Sequence, residues 1–153
     1  MYRKVFVSMP ISDNLASDGT FRPEKRRFYE SVIDSFASLG LKVESAALNE
    51  NWGKIKLPPV KFTAYDIEAI ERSDILAVVT SERLTRDMYL EVGWALALRQ
   101  PVLFFIAAST NVTFMIEGLR ELDRVTVVRY DAEADVPQLV KDALRPFVTP
   151  NKQ

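Results

Sequence analysis

Two carboxylates are the strongest candidates for chemistry in this chain. Asp66 lies inside a stretch that reads as a helix, Glu91 lies at the start of the next helix, and the apolar run Ile75 to Thr80 separates them. The chain has no His and no Cys. That excludes a Ser-His-Asp triad, a thiolate nucleophile, a disulfide and a Cys-bound zinc. Carboxylates can still serve as nucleophile, acid or base. Glu91 reads as a first-turn residue, where the positive end of the helix dipole favours the ionised form. An ionised carboxylate there can attack an electrophilic carbon, and the same placement also serves helix stability alone. Gly93 and Ala95 are small, so the backbone near Glu91 can approach another group closely. Asp66 neighbours Phe62, Tyr65, Ala69 and Ile70, where an acid is costly unless paired. Its alternative is a solvent-facing position. Asp74, at a helix end before a buried strand, reads as a local cap. Trp52 follows Asn49 and Glu50 in a loop and either stacks on a planar ligand or covers the core. Thr85, Arg86 and Asp87 can offer backbone N–H groups and a hydroxyl to a ligand oxygen, or can cap the helix.

Bringing the two acids together is the task of the surrounding elements. Apolar runs at residues 4–9, 41–47, 75–80, 102–107 and 124–130 read as strands. Helical patterns fill 26–39, 61–73, 88–99 and 136–147, with a short helix at 112–119. Strands alternating with helices predict an α/β fold: a doubly wound five-stranded parallel sheet, flavodoxin- or Rossmann-like, with helices on both faces. The continuous apolar strands agree, because a parallel sheet is covered on both sides. Ligands of such folds bind at the C-terminal strand edge. That edge carries Ser8 to Pro10 and Ile11, residues 47–52, the 80–91 segment with Thr85, Arg86 and Tyr89, and residues 107–113 ending in Thr113.

With 153 residues, the chain fits one domain spanning 1–153. Its net charge of −1 offers no basic excess for a nucleic-acid polymer. No apolar run approaches the ~20 residues of a membrane span, and the N-terminus does not read as a signal peptide. A cytoplasmic location is therefore expected. The glycines, at 19, 40, 53, 93 and 118, form neither GxGxxG nor GxxxxGK[ST], so neither phosphate-binding fingerprint is present. No metal-ligand cluster stands out.

Several motifs in order carry a resemblance. VFVSMPI, ENWG, AYDIEAIERSDILAVV, YLEVGWALALRQPVLFF and TFMIEGL together resemble the nucleoside 2-deoxyribosyltransferase-like superfamily. The likeness is nearest to the CMP and hydroxymethyl-CMP N-glycosidases and the 2′-deoxynucleoside 5′-phosphate N-hydrolases, and runs from about Lys4 to Tyr130. It implies cleavage of an N-ribosyl bond in a nucleoside or nucleoside 5′-monophosphate, with a CMP-like pyrimidine favoured by ENWG. Glu91 would attack the anomeric carbon and form a glycosyl ester. Asp66 would hold or protonate the departing base, which requires a raised pKa. Base exchange by a deoxyribosyltransferase and a non-catalytic nucleotide-sensing module are the alternatives. Ser8, Pro10, Ile11, Trp52, Asp74, Thr85, Arg86, Tyr89 and Thr113 would bind the substrate. Thr85 stands near the 5′ group, and Thr113 from a second subunit completes that pocket. A homodimer or larger homo-oligomer follows, and no metal or organic cofactor is expected. Relatives that bind a 5′-phosphate usually have Arg shortly after the first strand, where this chain has Ser12 followed by Asp13.

Overall fold

The computed structural model describes residues 1–148. Five parallel strands form one sheet: β1 (Lys4–Ser8), β2 (Lys42–Glu44), β3 (Ile75–Thr80), β4 (Val102–Ala107) and β5 (Val125–Tyr130), in the order β2-β1-β3-β4-β5. The helices are α1 (Pro23–Ser38), α2 (Ala46–Asn49), α3 (Pro59–Glu71), α4 (Arg86–Ala97), α5 (Phe114–Leu119) and α6 (Val136–Val148). This is the α/β architecture expected from the alternating pattern.

Side chains on a strand alternate between faces, so a strand buried on both sides must be apolar throughout. All of β3 and β4 is buried. In β3, Ile75, Ala77 and Val79 pack with Val32, Phe36, Val140 and Leu144 of α1 and α6. Leu76 and Val78 face the other way, onto Ile70, Met88, Val92 and Ala95 of α3 and α4. Transfer of this surface from water, at roughly 25 cal/mol per Å² of apolar area, supplies the main drive for the fold.

After β1 the chain winds to one side through α1 to β2, then returns past β1 to β3. The strand order reverses between β1 and β3, and their C-terminal ends part there to leave a crevice. Ser8 ends β1 at this point.

Of the boundaries that differ from the sequence reading, two bear on the site. The second strand was expected to run to residue 47 but stops at Glu44. Ser45 accepts a hydrogen bond from the Leu48 N–H at 3.1 Å, and this cap diverts Ala46 and Ala47 into α2. Helix α4 starts at Arg86 rather than 88. Thr85 is its N-cap and accepts from the Met88 N–H. Glu91 is therefore a second-turn residue, about half a turn deeper than expected.

Candidate active site

Helices α3 and α4 pack side by side and present matched pairs to each other. On α3, Phe62 and Asp66 are four residues apart; on α4, Asp87 and Glu91 are four apart. Residues at that spacing share one helical face. Beneath them lies the end of β1. Ser8 is buried, and its hydroxyl donates a hydrogen bond to Glu91 Oε2.

Glu91 touches solvent through the cavity it lines, while protein surrounds its carboxyl on nearly every side. Burial pushes the carboxyl up to about 8 from an ordinary 4.5; the Ser8 hydroxyl opposes this, and the charges of Asp66 and Asp87 add to it. The first-turn reading had favoured a stably ionised Glu91. In its place the structure shows a carboxyl below the reach of the helix-end dipole, where desolvation dominates. Asp66 is 7% exposed, and its Oδ1 is buried without a hydrogen-bond partner. Burial raises Asp66 to about 7, reinforced by Glu50 and Asp87. The raised pKa expected for this residue is present.

Three cavities adjoin here. An inner one of about 180 Å³ is floored by Ser8, Met9 and Glu91 and walled by Ile11, Phe62 and Thr85. A second, of about 370 Å³, runs between α3 and α4, with Asp66 and Glu91 among apolar Leu57, Ile67, Leu90 and Trp94. Joined at Phe62, Asp87 and Glu91, the two reach the range of small-molecule sites, roughly 300–1,000 Å³. An outer polar cavity is lined by Ser12, Arg83, Thr85, Arg86, Asp87 and Tyr89.

The structure thus brings together Glu91, Asp66, Ser8, Ile11 and Thr85, with Arg86 and Tyr89 at the outer mouth. It does not bring the other candidates to these cavities. Trp52 is 5% exposed, packs edge-to-face on Phe21 at 5.2 Å and lies under the Arg26 guanidinium, so its ring covers the core. Asp74 precedes β3, at the opposite edge of the sheet. Its Oδ2 accepts from the Arg3 and Lys4 N–H groups at 2.8 and 2.9 Å, tying the start of β1 to that of β3. Pro10 is buried and its carbonyl accepts from Asn14 Nδ2, which fixes the turn after β1. Thr113 is an exposed residue at the start of α5 and lines none of the three cavities.

Phe62, assigned no site role from the sequence, and Asp87, read there as a cap or a backbone donor, are central. Phe62 and Asp87 each stand one helical turn before an acid and line both of the cavities that meet at Glu91. That four-residue offset was the available signal. Among the described residues no group of three or more His, Cys, Asp or Glu is placed to hold a metal, and no helix is long and apolar enough to cross a membrane.

The family model described as nucleoside 2-deoxyribosyltransferase matches residues 14–133. No curated protein matches the sequence. Solved structures show the same fold. One is the CMP N-glycosidase BcmB of Clostridium botulinum, 19% identical over 91% of this chain and 99% of that one, with a TM-score of 0.66. Another is BlsM in solution, 21% identical over 99% and 98%, with a TM-score of 0.71. A third is a 2-deoxyribosyltransferase of Bacillus psychrosaccharolyticus, 18% identical over 88% and 90%, with a TM-score of 0.58.

Proposed function

Because the chain belongs to the nucleoside 2-deoxyribosyltransferase family, we propose that it is an N-glycosidase. It cleaves the base–sugar bond of a nucleoside or nucleoside 5′-monophosphate, with a cytosine-type pyrimidine the favoured base. One observation carries this reading. Asp66 and Glu91 line one cavity from facing helices, and burial holds both carboxyls far above their ordinary range.

The chemistry is a double displacement. The pair must carry one proton; Glu91, at about 8, holds it more firmly than Asp66, at about 7, so the reactive form is the minor one in which the proton has passed to Asp66. Ionised Glu91, oriented by the Ser8 hydroxyl, attacks the anomeric carbon and forms an ester. The C–N bond breaks with its electron pair passing to the base nitrogen, and Asp66 delivers the proton there. Water then attacks the same carbon, Glu91 leaves, and the proton of the water returns to Asp66. Phe62, half-buried between the two cavities, offers a ring face to the base.

Base exchange is the second reading, supported by the family itself and by the likeness to a 2-deoxyribosyltransferase. It differs only in what captures the ester. The site is completed in a homodimer, in which Thr113 of a second copy closes the 5′ end. Phe114, beside Thr113, is 92% exposed, and Met115 is 77% exposed, an apolar tip suited to insertion. The test is a chromatographic screen of nucleosides and 5′-monophosphates, with and without a second free base. Free sugar means hydrolysis and a new nucleoside means transfer. Binding without turnover across the panel sinks both and leaves a nucleotide-sensing module.

A further inference from the structure

Asp87 has no part in the bond-breaking steps, yet it is the residue common to all three cavities. It stands one turn above Glu91 on α4, where the inner cavity opens into the outer one. With the anomeric carbon over Glu91 and the base toward Asp66, the sugar fills the inner cavity. Its 5′ carbon then leads past Asp87 toward Ser12 and Thr85. The Asp87 side chain has no hydrogen-bond or ion-pair partner among the described residues, so its oxygens are available to a ligand.

The cations around this opening are largely committed elsewhere. Arg83 is bound through Nε and Nη2 to both carboxylate oxygens of Asp13, at 2.7 and 2.9 Å. Arg22 is engaged by Glu82 at 3.5 Å and Glu24 at 3.7 Å. Lys25 is held by Glu133 at 2.8 Å and by Ser81. Arg86, exposed and without an ion-pair partner among the described residues, lines the outer cavity beside Asp87 and is the cation there left to a ligand. A phosphate dianion entering past Asp87 meets a carboxylate that no described residue pairs, with only the exposed Arg86 to offset it, whereas a hydroxyl donates to it.

We propose that Asp87 selects substrates by their 5′ end, accepting a hydrogen bond from a sugar hydroxyl and turning away a 5′-phosphate, so that the chain acts on nucleosides. This rests on the N-glycosidase reading and narrows it. Arg83 belongs to the same device, because its fork neutralises Asp13 and is thereby withheld from a phosphate.

The test uses Glu91→Gln, which stops turnover, and titrates ribonucleosides and 2′-deoxynucleosides of each base against their own 5′-monophosphates by calorimetry. Within the pair that binds, the nucleoside is expected to be tighter by at least ~10-fold, given what like-charge contacts cost. Adding Asp87→Asn should reduce that ratio about tenfold by strengthening the nucleotide. A structural defect would weaken both members alike and leave the ratio unchanged. A nucleotide that binds tighter than its nucleoside in Glu91→Gln, or a ratio unmoved by Asp87→Asn, overturns the inference and leaves the N-glycosidase reading standing. If no member of any pair binds, both fall. Should the double variant not fold, the ratio in Glu91→Gln alone decides, and kcat/KM for the same pairs with the unaltered chain must rank them identically.

Discussion

Replacing Glu91 by Gln should make the protein more stable at alkaline pH while abolishing its activity. The folded chain holds the Glu91 carboxyl up at about 8, against 4.5 for an unburied glutamate. The folded state therefore keeps a proton that the unfolded chain has released. Stability falls as pH rises wherever the native state binds more protons. The contribution is complete below pH 4.5 and is lost progressively up to about 8. Each pH unit in that window is worth about 1.4 kcal/mol, so one such group costs at most about 5 kcal/mol by pH 9. Gln removes the titration and keeps an oxygen for the Ser8 hydroxyl. The variant should match the parent at pH 4.5 and exceed it by roughly 2–5 kcal/mol at pH 9. That corresponds to about 5–15 °C in Tm for a chain of this length. Urea unfolding at half-unit steps from pH 4.5 to 9, on both proteins, measures the difference directly. A gap that does not widen with pH, or that widens toward acid, refutes the claim that Glu91 is held protonated by burial.

Three further outcomes follow from the same geometry. Plots of kcat/KM against pH should be bell-shaped with a maximum between pH 7 and 8, because the singly protonated pair lies between Asp66 at about 7 and Glu91 at about 8; the two flanks belong to the pair rather than to either residue. A profile rising steadily to pH 10 contradicts the acid role. Asp66→Asn should lower kcat by about 10²–10⁴ on an ordinary base, and far less on a substrate whose base leaves without protonation; equal losses on both remove Asp66 from the leaving-group step. Gly53→Ala should destabilise more than Gly40→Ala. Both glycines have positive φ, 86° and 82°, which costs roughly 1–2 kcal/mol for an alanine. Only at Gly53 does the added Cβ also strike backbone, the Gly19 carbonyl oxygen and Thr20 Cα at 3.1 Å. Equal urea midpoints for the two variants exclude that contact.

The alternation of strands and helices, the double burial of the central strands and the placing of Asp66 and Glu91 on neighbouring helices were legible because each rests on periodicity. Continuous apolar runs give doubly covered strands, and the 3.6-residue repeat gives the helix faces. What sequence misjudged turned on single capping groups. The Ser45 hydroxyl cut the second strand short, and Thr85 moved the start of α4 back. That shift puts Glu91 about half a turn further from the helix N-terminus than expected, and burial raises its carboxyl to about 8 where an ionised one was expected. Trp52 was ambiguous because a loop Trp beside a site and a loop Trp over the core have the same local sequence. Here the backbone decided it. Trp52 sits in a left-handed run with Asn51 and Gly53, and its carbonyl accepts the Phe21 N–H at 3.0 Å, which turns the ring inward. Asp87 was readable only as a cap or a backbone donor to a ligand until the neighbouring cavities were known.

The shortness of β2 has an effect on how such a chain can change over time. Three residues of edge strand are all that pair the 42–57 region with the sheet. Beyond them, the residues that reach the base side are Leu57, whose N–H is held by Glu50 at 3.0 Å, and Glu50 itself, whose charge acts on Asp66. In the proposed reading, substitutions there would reshape the wall met by the base and adjust Asp66, without disturbing β1, where Ser8 is held. That part of the base wall lies on a segment apart from Ser8 and Glu91, while Phe62 and Asp66 share α3. Gly53, where an added Cβ would meet the Gly19 carbonyl oxygen, is the point of that segment least open to substitution.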